Sequence, residues 1–226
     1  EDGMVTAEEG AGAETRVEYS EGFSFLSGLH DLGPSAGPSF VNRQDFGDCR
    51  IDTGAYVALY DGEINDVNVI APLMERVALL TDGNGHPIKA SLVVFAHRFS
   101  DMVLKTFAQN FRRGTLTIIP VITPRNGQSV GRSQFLHDLA AYCDGTVFDA
   151  QGCPLTEATP FALGTLDSIK IGRSEGVILG KPVLERVESR IEELKVQMND
   201  PATSEFDREM IRYRIGRMTG GVATIY

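Results

Sequence analysis

Ser133, His137 and Asp138 are the residue types of a hydrolytic triad, and they fall within one short stretch. Ser133 and His137 are four apart, so a helix places both on one face. Asp138 then turns away from both, and no oxyanion site is evident beside them. The same stretch, Arg132 to Tyr142, reads as a short amphipathic helix with Phe135, Leu136 and Leu139 inward, and a surface helix is the preferred reading. His30, His86 and His97 lie in separate segments without metal-ligand spacing. Cys49, Cys143 and Cys153 are odd in number and form no Cys-x-x-Cys pair, which fits a reducing compartment with neither a disulfide framework nor a zinc site. No Gly-rich phosphate loop is present. The chain is therefore expected to carry no catalytic residue, no metal and no cofactor of its own.

Composition narrows the partners. The chain has 226 residues, 42% of them hydrophobic, enough to bury a proper core. A net charge of −10 argues against nucleic acid or an anionic membrane surface as a partner. No apolar run is long enough to span a bilayer, and the acidic N-terminus is not a signal peptide. The start Glu1-Asp2-Gly3 suggests an excised fragment of a cytoplasmic protein.

If no side chain does chemistry, the apolar faces carry the function, and the stretch from Glu63 to Arg113 is the richest in them. It reads as helix, strand, helix. Val67, Ile70, Ala71, Met74, Val77 and Ala78 recur at three-and-four spacing, and Ile70, Leu73, Val77 and Leu80 make an adjoining stripe. Leu92 to Ala96 suits a strand covered on both faces. From Phe99 to Arg113, Met102, Val103, Thr106, Phe107 and Asn110 follow one side, and Phe99, Val103, Phe107 and Phe111 another. Two such helices side by side would carry an apolar groove able to accept apolar peptides. By periodicity alone, two ordinary core helices are the commoner outcome.

The remainder is punctuated by turns. Residues 1 to 21 are acidic and Gly-rich and read as edge strands or a connector; Phe23 to Leu26 follows as a strand. Gly28 to Pro38 is an irregular loop containing Leu29 and Leu32. Phe40 to Arg43, Tyr56 to Tyr60 and Thr115 to Val121 read as strands, and Asp82 to Pro87 is a turn. Short Gly-bounded strands follow at Thr146 to Phe148, Ser168 to Ile171 and Gly176 to Leu179. Pro182 suits a helix start, with Val183, Val187, Ile191, Leu194 and Met198 inward. Ser204 can cap a last helix, with Asp207 completing a weak capping box. Its buried faces are expected to be Phe206, Met210 and Tyr213, with Ile211, Ile215 and Met218. Gly220-Gly221 stops it before a final strand.

Taken in order, these motifs resemble the apical domain of a group I (GroEL-like) chaperonin. The matching segments are Asp2-Gly-Met-Val-Thr6, Tyr19-Ser-Glu-Gly-Phe-Ser-Phe25, Phe40-Val-Asn42, Ile70-Ala-Pro-Leu-Met-Glu75 and Asp144-Gly-Thr-Val147. Phe206-Asp-Arg-Glu209 followed by Gly220-Gly-Val-Ala223 is the most specific pair. Overall identity is low, as in a divergent, for instance viral, member. The resemblance implies an α/β fold of the swivelling β/β/α type, a β-sandwich core flanked by helices. Residues 1–21 would be a strand connector to an intermediate domain, 22–221 the apical domain and 222–226 the return strand. Gly22, Gly220 and Gly221 would be hinge glycines.

The resemblance also implies a function: capture of non-native polypeptides in an apolar groove between two helices, followed by release for folding. ATP and Mg would act on the parent subunit through an equatorial domain not in this sequence. The parent would form a homo-oligomeric ring, and a co-chaperonin mobile loop is a further expected partner of the groove. Position by position, Leu29, Phe40, Ile70, Ala71, Met74, Leu104, Phe107, Ala108 and Phe111 are the expected polypeptide-binding residues. Ala71, Ala108 and Gln109 replace bulkier aliphatics of the family, so the groove is expected to be shallower and more polar at one end. Ser100 stands where the family carries an acid able to pair with the base at Arg43. Two other readings stay open: a dedicated protein-interaction module without general folding activity, and an enzyme assembled from scattered Asp and His residues.

Overall fold

The computed structural model describes residues 4–7, 17–29, 39–124, 130–180 and 182–225, with side chains for 22–29, 39–124, 131–180 and 182–220. The chain opens with strands β1 (Met4–Ala7), β2 (Val17–Phe25), β3 (Cys49–Ile51), β4 (Ala55–Tyr60) and β5 (Glu63–Ile64). Helix α1 (Ala71–Ala78), β6 (Ser91–Ala96), β7 (Arg98–Phe99), α2 (Asp101–Arg113), β8 (Thr117–Ile122) and α3 (Val130–Cys143) follow. Next come β9 (Val147–Phe148), β10 (Gly164–Leu166), β11 (Ser168–Ile171) and β12 (Gly176–Leu179). Helices α4 (Leu184–Asn199) and α5 (Glu205–Thr219) and strand β13 (Gly221–Ile225) complete the chain.

The fold is mixed α/β, built on a parallel sheet flanked by helices. The apolar runs of β4, β6 and β8 pair in parallel, with Val57 beside Val93 and Val93 beside Ile119. Every residue of β6 is buried, as a strand covered on both faces requires. Pro120 lies in β8, which ends the β10-β4-β6-β8 order and so tolerates a missing donor. The two faces of this sheet belong to different apolar clusters. Leu59, Phe95 and Val121 face a core completed by α3, by Val187 and Leu194 of α4, and by Ile211 and Met218 of α5. Phe23, Ile169 and Ile178 of a second, six-stranded sheet ordered β1-β13-β2-β12-β11-β3 also line this core. Ala58, Val94 and Ile118 face the other cluster, which α1 and α2 cover.

Strand β2 changes partner midway. Val17 to Glu21 pair with β13, ending at Glu21 opposite Gly221, whereas Gly22 to Phe25 pair with β12. The expected boundary at 21/22 thus coincides with the point where the strand passes from one neighbour to the next. Gly28 and Leu29 run against the chain at 172–173: Leu29 N–H donates to Gly172 O at 2.9 Å, and a Cβ at Gly28 would collide with the Arg173 carbonyl. Leu29 also bridges Val121, covering part of the edge of β8.

Several expectations need correction. The first helix does not run from Glu63. The Asp66 side chain accepts from Asn68 N–H and starts a separate 3-10 turn at Val67–Val69, and Glu63–Ile64 pairs with β7. Pro72 restricts α1 to a start at Ala71, in whose first turn its missing N–H is harmless. Phe40 to Arg43 is turn rather than strand, closed by Arg43 N–H donating to Asp48 O. Ser204 does cap α5. Its buried face, however, is Ile211, Arg214, Arg217 and Met218, while Phe206 and Tyr213 are exposed. Ile211 and Met218 are buried as expected, but counting apolar residues missed Arg214 and Arg217, which are buried because they pair with a buried acid. Leu32 and His30 lie outside the described residues.

Candidate functional site

Helix α2 forms where its sequence favours it. Ser100 Oγ accepts from Val103 N–H, Asp101 sits in the first turn, Arg112 and Arg113 in the last, and Gly114 closes it at φ 66°. Helix α1 is only eight residues long and has no side-chain cap bond. Arg76 ties it down by donating to Thr156 O and Ala158 O at 2.9 and 2.7 Å.

The structure gathers nearly all the expected polypeptide-binding residues. Phe40, Ile70, Met74, Leu104, Phe107 and Ala108 belong to one apolar cluster, and Leu29 and Phe111 pack against it. Phe40 meets Phe111 and Phe99 meets Phe107 edge-on, each pair with centroids 5.9 Å apart. These side chains are nevertheless packed and do not line an open groove. Leu104 is 2% exposed, Ala108 2% and Met74 8%, while Phe40, Ile70 and Phe107 are equally enclosed; Ala71 is half-buried. The physical reason is the sheet beneath. A parallel sheet needs both faces covered, and the stripes of α1 and α2 are used on Ala58, Leu92, Val94 and Ile118. What the two helices leave outward is Ala71, Glu75 and Ala78 on α1 and Met102, Lys105 and Gln109 on α2, with Leu79 just beyond α1. Leu79 and Met102 are the large apolar groups among them, 78% and 68% exposed.

The glycines expected as hinges lie at or beside the strand seam. Gly221 pairs with Glu21 and Gly22 with Leu179. Gly220 has φ −75° and ψ 147°, a conformation open to any residue, so in this state no backbone constraint demands glycine there.

Polar clusters lie elsewhere. Asp61 follows β4 and His97 follows β6, in lateral register at the carboxyl ends of parallel strands. Asp61 accepts from Ser133 Oγ at 2.6 Å and lies 2.9 Å from His97 Nε2. Burial pushes the His97 imidazole below its ordinary value; Asp61 opposes this and Arg132 reinforces it. The order of the contacts matters: aspartate bridges serine and histidine, so the Ser133 proton is committed to a carboxylate and no base stands beside the hydroxyl. Pattern reading missed this cluster. Its available signal was a polar residue directly after each apolar strand run. Asp138 does turn from Ser133 and His137, as helix geometry requires; it is fully buried among arginines. His86 contacts Asp82 in its own turn. Burial pushes the Cys49 and Cys143 thiols up to about 12. Arg43 pairs with Asp48 at 3.4 Å and stacks on Phe46, and Ser100 serves as a cap. Among the described residues no group of His, Cys, Asp and Glu could hold a metal ion, and no helix is long and apolar enough to cross a membrane.

No known family model matches the sequence.

Proposed function

We propose that this chain is the apical, polypeptide-binding domain of a divergent group I chaperonin, of the swivelling β/β/α type, in a state where its binding helices are packed shut. The observation that carries the reading is the gathering of α1, α2 and Phe40 around one apolar cluster distinct from the one on the other face of the sheet, with Leu29 packed against both. These are the segments that the resemblance assigns to client capture. The strand seam at Glu21/Gly221, where incoming and outgoing strands pair, supports a module hinged to a larger subunit. Exposed Leu79 and Met102 would make first contact with a non-native chain, recognised by its own exposed apolar surface. The buried side chains would follow once α1 moves. Binding of ATP and Mg elsewhere in a cytoplasmic homo-oligomeric ring would drive that movement, several copies would add avidity, and a co-chaperonin loop would compete for the same helices.

The test is suppression of aggregation of several unrelated denatured proteins by the 226-residue chain. Leu79→Glu and Met102→Glu are the variants of choice, because both positions face solvent and tolerate charge. Each is expected to lower holding activity with thermal unfolding unchanged. Undiminished activity in the double variant refutes the assignment of these helices. Tight binding to one partner with indifference to denatured proteins would instead identify a dedicated interaction module.

A further inference from the structure

The cluster around Asp138 is unbalanced. This fully buried carboxylate on α3 accepts from Arg214 Nε and Nη2 of α5 at 2.8 and 2.7 Å, from Arg190 Nε of α4 at 3.1 Å, and from Arg217 Nη2 of α5 at 3.3 Å. One negative charge thus serves the guanidiniums of Arg190, Arg214 and Arg217. Glu193 offsets part of the surplus by accepting from Arg190 Nη1 at 2.7 Å. Among the described residues no second acid pairs with Arg217. Its single bond to Asp138 is the longest of the set, and its Nε has no hydrogen-bond partner among the described residues. Aromatic faces take the place of an anion: the guanidinium carbon lies 4.8 Å from the Phe23 ring, 4.9 Å from Phe135 and 5.7 Å from Tyr213.

The position of Arg217 gives this imbalance a consequence. Arg217 sits in the last turn of α5, just before Gly220 and β13, and Phe23 follows Gly22 on β2. The stacked pair therefore ties the end of α5, which leads into β13, to β2 two residues beyond Glu21, where the β2/β13 pairing ends. We infer that Arg217 is a release catch: it is the member of the cluster that withdraws to water, freeing the last turn of α5 and the β2/β13 seam while Asp138 stays satisfied by Arg214 and Arg190. Withdrawal of Arg217 sacrifices one long bond and the ring contacts, and returns hydration to a desolvated cation. Withdrawal of Arg214 would break a bidentate pair and strand the carboxylate, so the two arginines of α5 are not equivalent. Burial holds the Arg217 guanidinium below its ordinary value, against the pull of Asp138, in keeping with a desolvated, under-compensated charge. That the freed seam serves as a domain hinge rests on the proposed function; the release itself does not.

Amide hydrogen exchange on the 226-residue chain reads the release directly. Arg217→Met keeps the apolar stem and removes the surplus charge. It is expected to slow exchange of the Gly221–Ala223 and Tyr19–Glu21 amides, which face each other across the seam, by about tenfold. Arg217→Lys keeps the charge without the planar stack and is expected to exchange there as fast as the parent or faster. Arg214→Met is expected to accelerate exchange throughout α3, α4 and α5. Seam exchange that is unchanged or faster in Arg217→Met, or failure of that variant to fold, overturns the inference, since Arg217 would then be a structural pin. Slowed exchange in a chain that binds no denatured protein would leave the catch standing and remove its role as a chaperonin hinge.

Discussion

Leu104 and Met102 stand two positions apart on α2 and differ almost completely in exposure, 2% against 68%. Replacing each by alanine therefore asks whether the helix is packed on the sheet or open to clients. Leu104 reaches the cluster that covers Val94 and Ile118. Leu→Ala removes methylene-scale groups worth about 0.8 kcal/mol each, roughly 2.4 kcal/mol of transfer free energy in all. The cavity left behind brings the expected loss to about 2–5 kcal/mol. Met102→Ala, facing water, is expected to stay within about 0.5 kcal/mol of the parent. Urea unfolding measures both. With a slope of about 3 kcal/mol/M, the Leu104→Ala midpoint falls by about 1 M while that of Met102→Ala barely moves. Equal, small shifts in the two variants would refute the packed arrangement. They would mean that Leu104 faces solvent and that the two helices already form an open groove.

Two further outcomes follow from the titratable groups. His97 has its folded pKa pushed down, chiefly by burial, so the unfolded chain binds more protons than the folded one between the two values. Its contribution to stability is present above the unfolded value of about 6.5 and is lost as pH falls through the lower folded value. The thermal unfolding midpoint should therefore fall as pH is lowered below about 6.5, and His97→Gln should flatten that slope; an unchanged slope refutes the assignment. Thiol labelling at mild alkaline pH should modify the part-exposed Cys153 quickly and leave Cys49 and Cys143 unmodified until the chain unfolds, because burial holds those two thiols near 12. Fast labelling of Cys143 in the folded chain would contradict its burial.

The sequence was most legible where a single local rule decides the outcome. Ser204 starts α5 by capping chemistry, Pro72 allows only a first-turn position, and the uniform apolar run Leu92 to Ala96 has to be a doubly covered strand. It was least legible where the partner, not the element, decides. The stripes as read contained the buried Leu73, Met74 and Val77 of α1 and Val103 and Phe107 of α2, but also the outward Ala71, Ala78 and Met102, because periodicity is blind to whether a sheet or solvent lies opposite. The sheet takes Met74, Leu104 and Ala108 inward. On α5 the error had the opposite sign: Phe206 and Tyr213 are apolar and exposed, while Arg214 and Arg217 are charged and buried. The cause is an aspartate on another helix, Asp138, far away in sequence, which no window on α5 contains. Asp61 and His97 likewise meet only because β4 and β6 pair in register.

Under the proposed function, the packed state sets the energetics of client capture by these helices. Lifting α1 from the sheet exposes Leu73, Met74 and Val77. At about 1.5–3 kcal/mol for each buried side chain, the opening costs roughly 4.5–9 kcal/mol. With a factor of ten for every 1.4 kcal/mol, spontaneous opening is populated at about one part in 10³ to 10⁶. A client that bound only the opened helices would have its apparent affinity reduced by the same factor. Capture by thermal opening alone is thus weak, and two routes remain. A client can first settle on Leu79 and Met102 and replace the sheet as the apolar partner of α1 while that helix lifts. Alternatively, a force applied at the β2/β13 seam can shift the balance. On the second route, α3, α4 and α5 must move with the sheet as one body, because they share its other face and Asp138 ties all three together. The short, uncapped α1, held by Arg76, is then the weakest element on the client side, and Arg76→Ala should raise client binding before it lowers global stability.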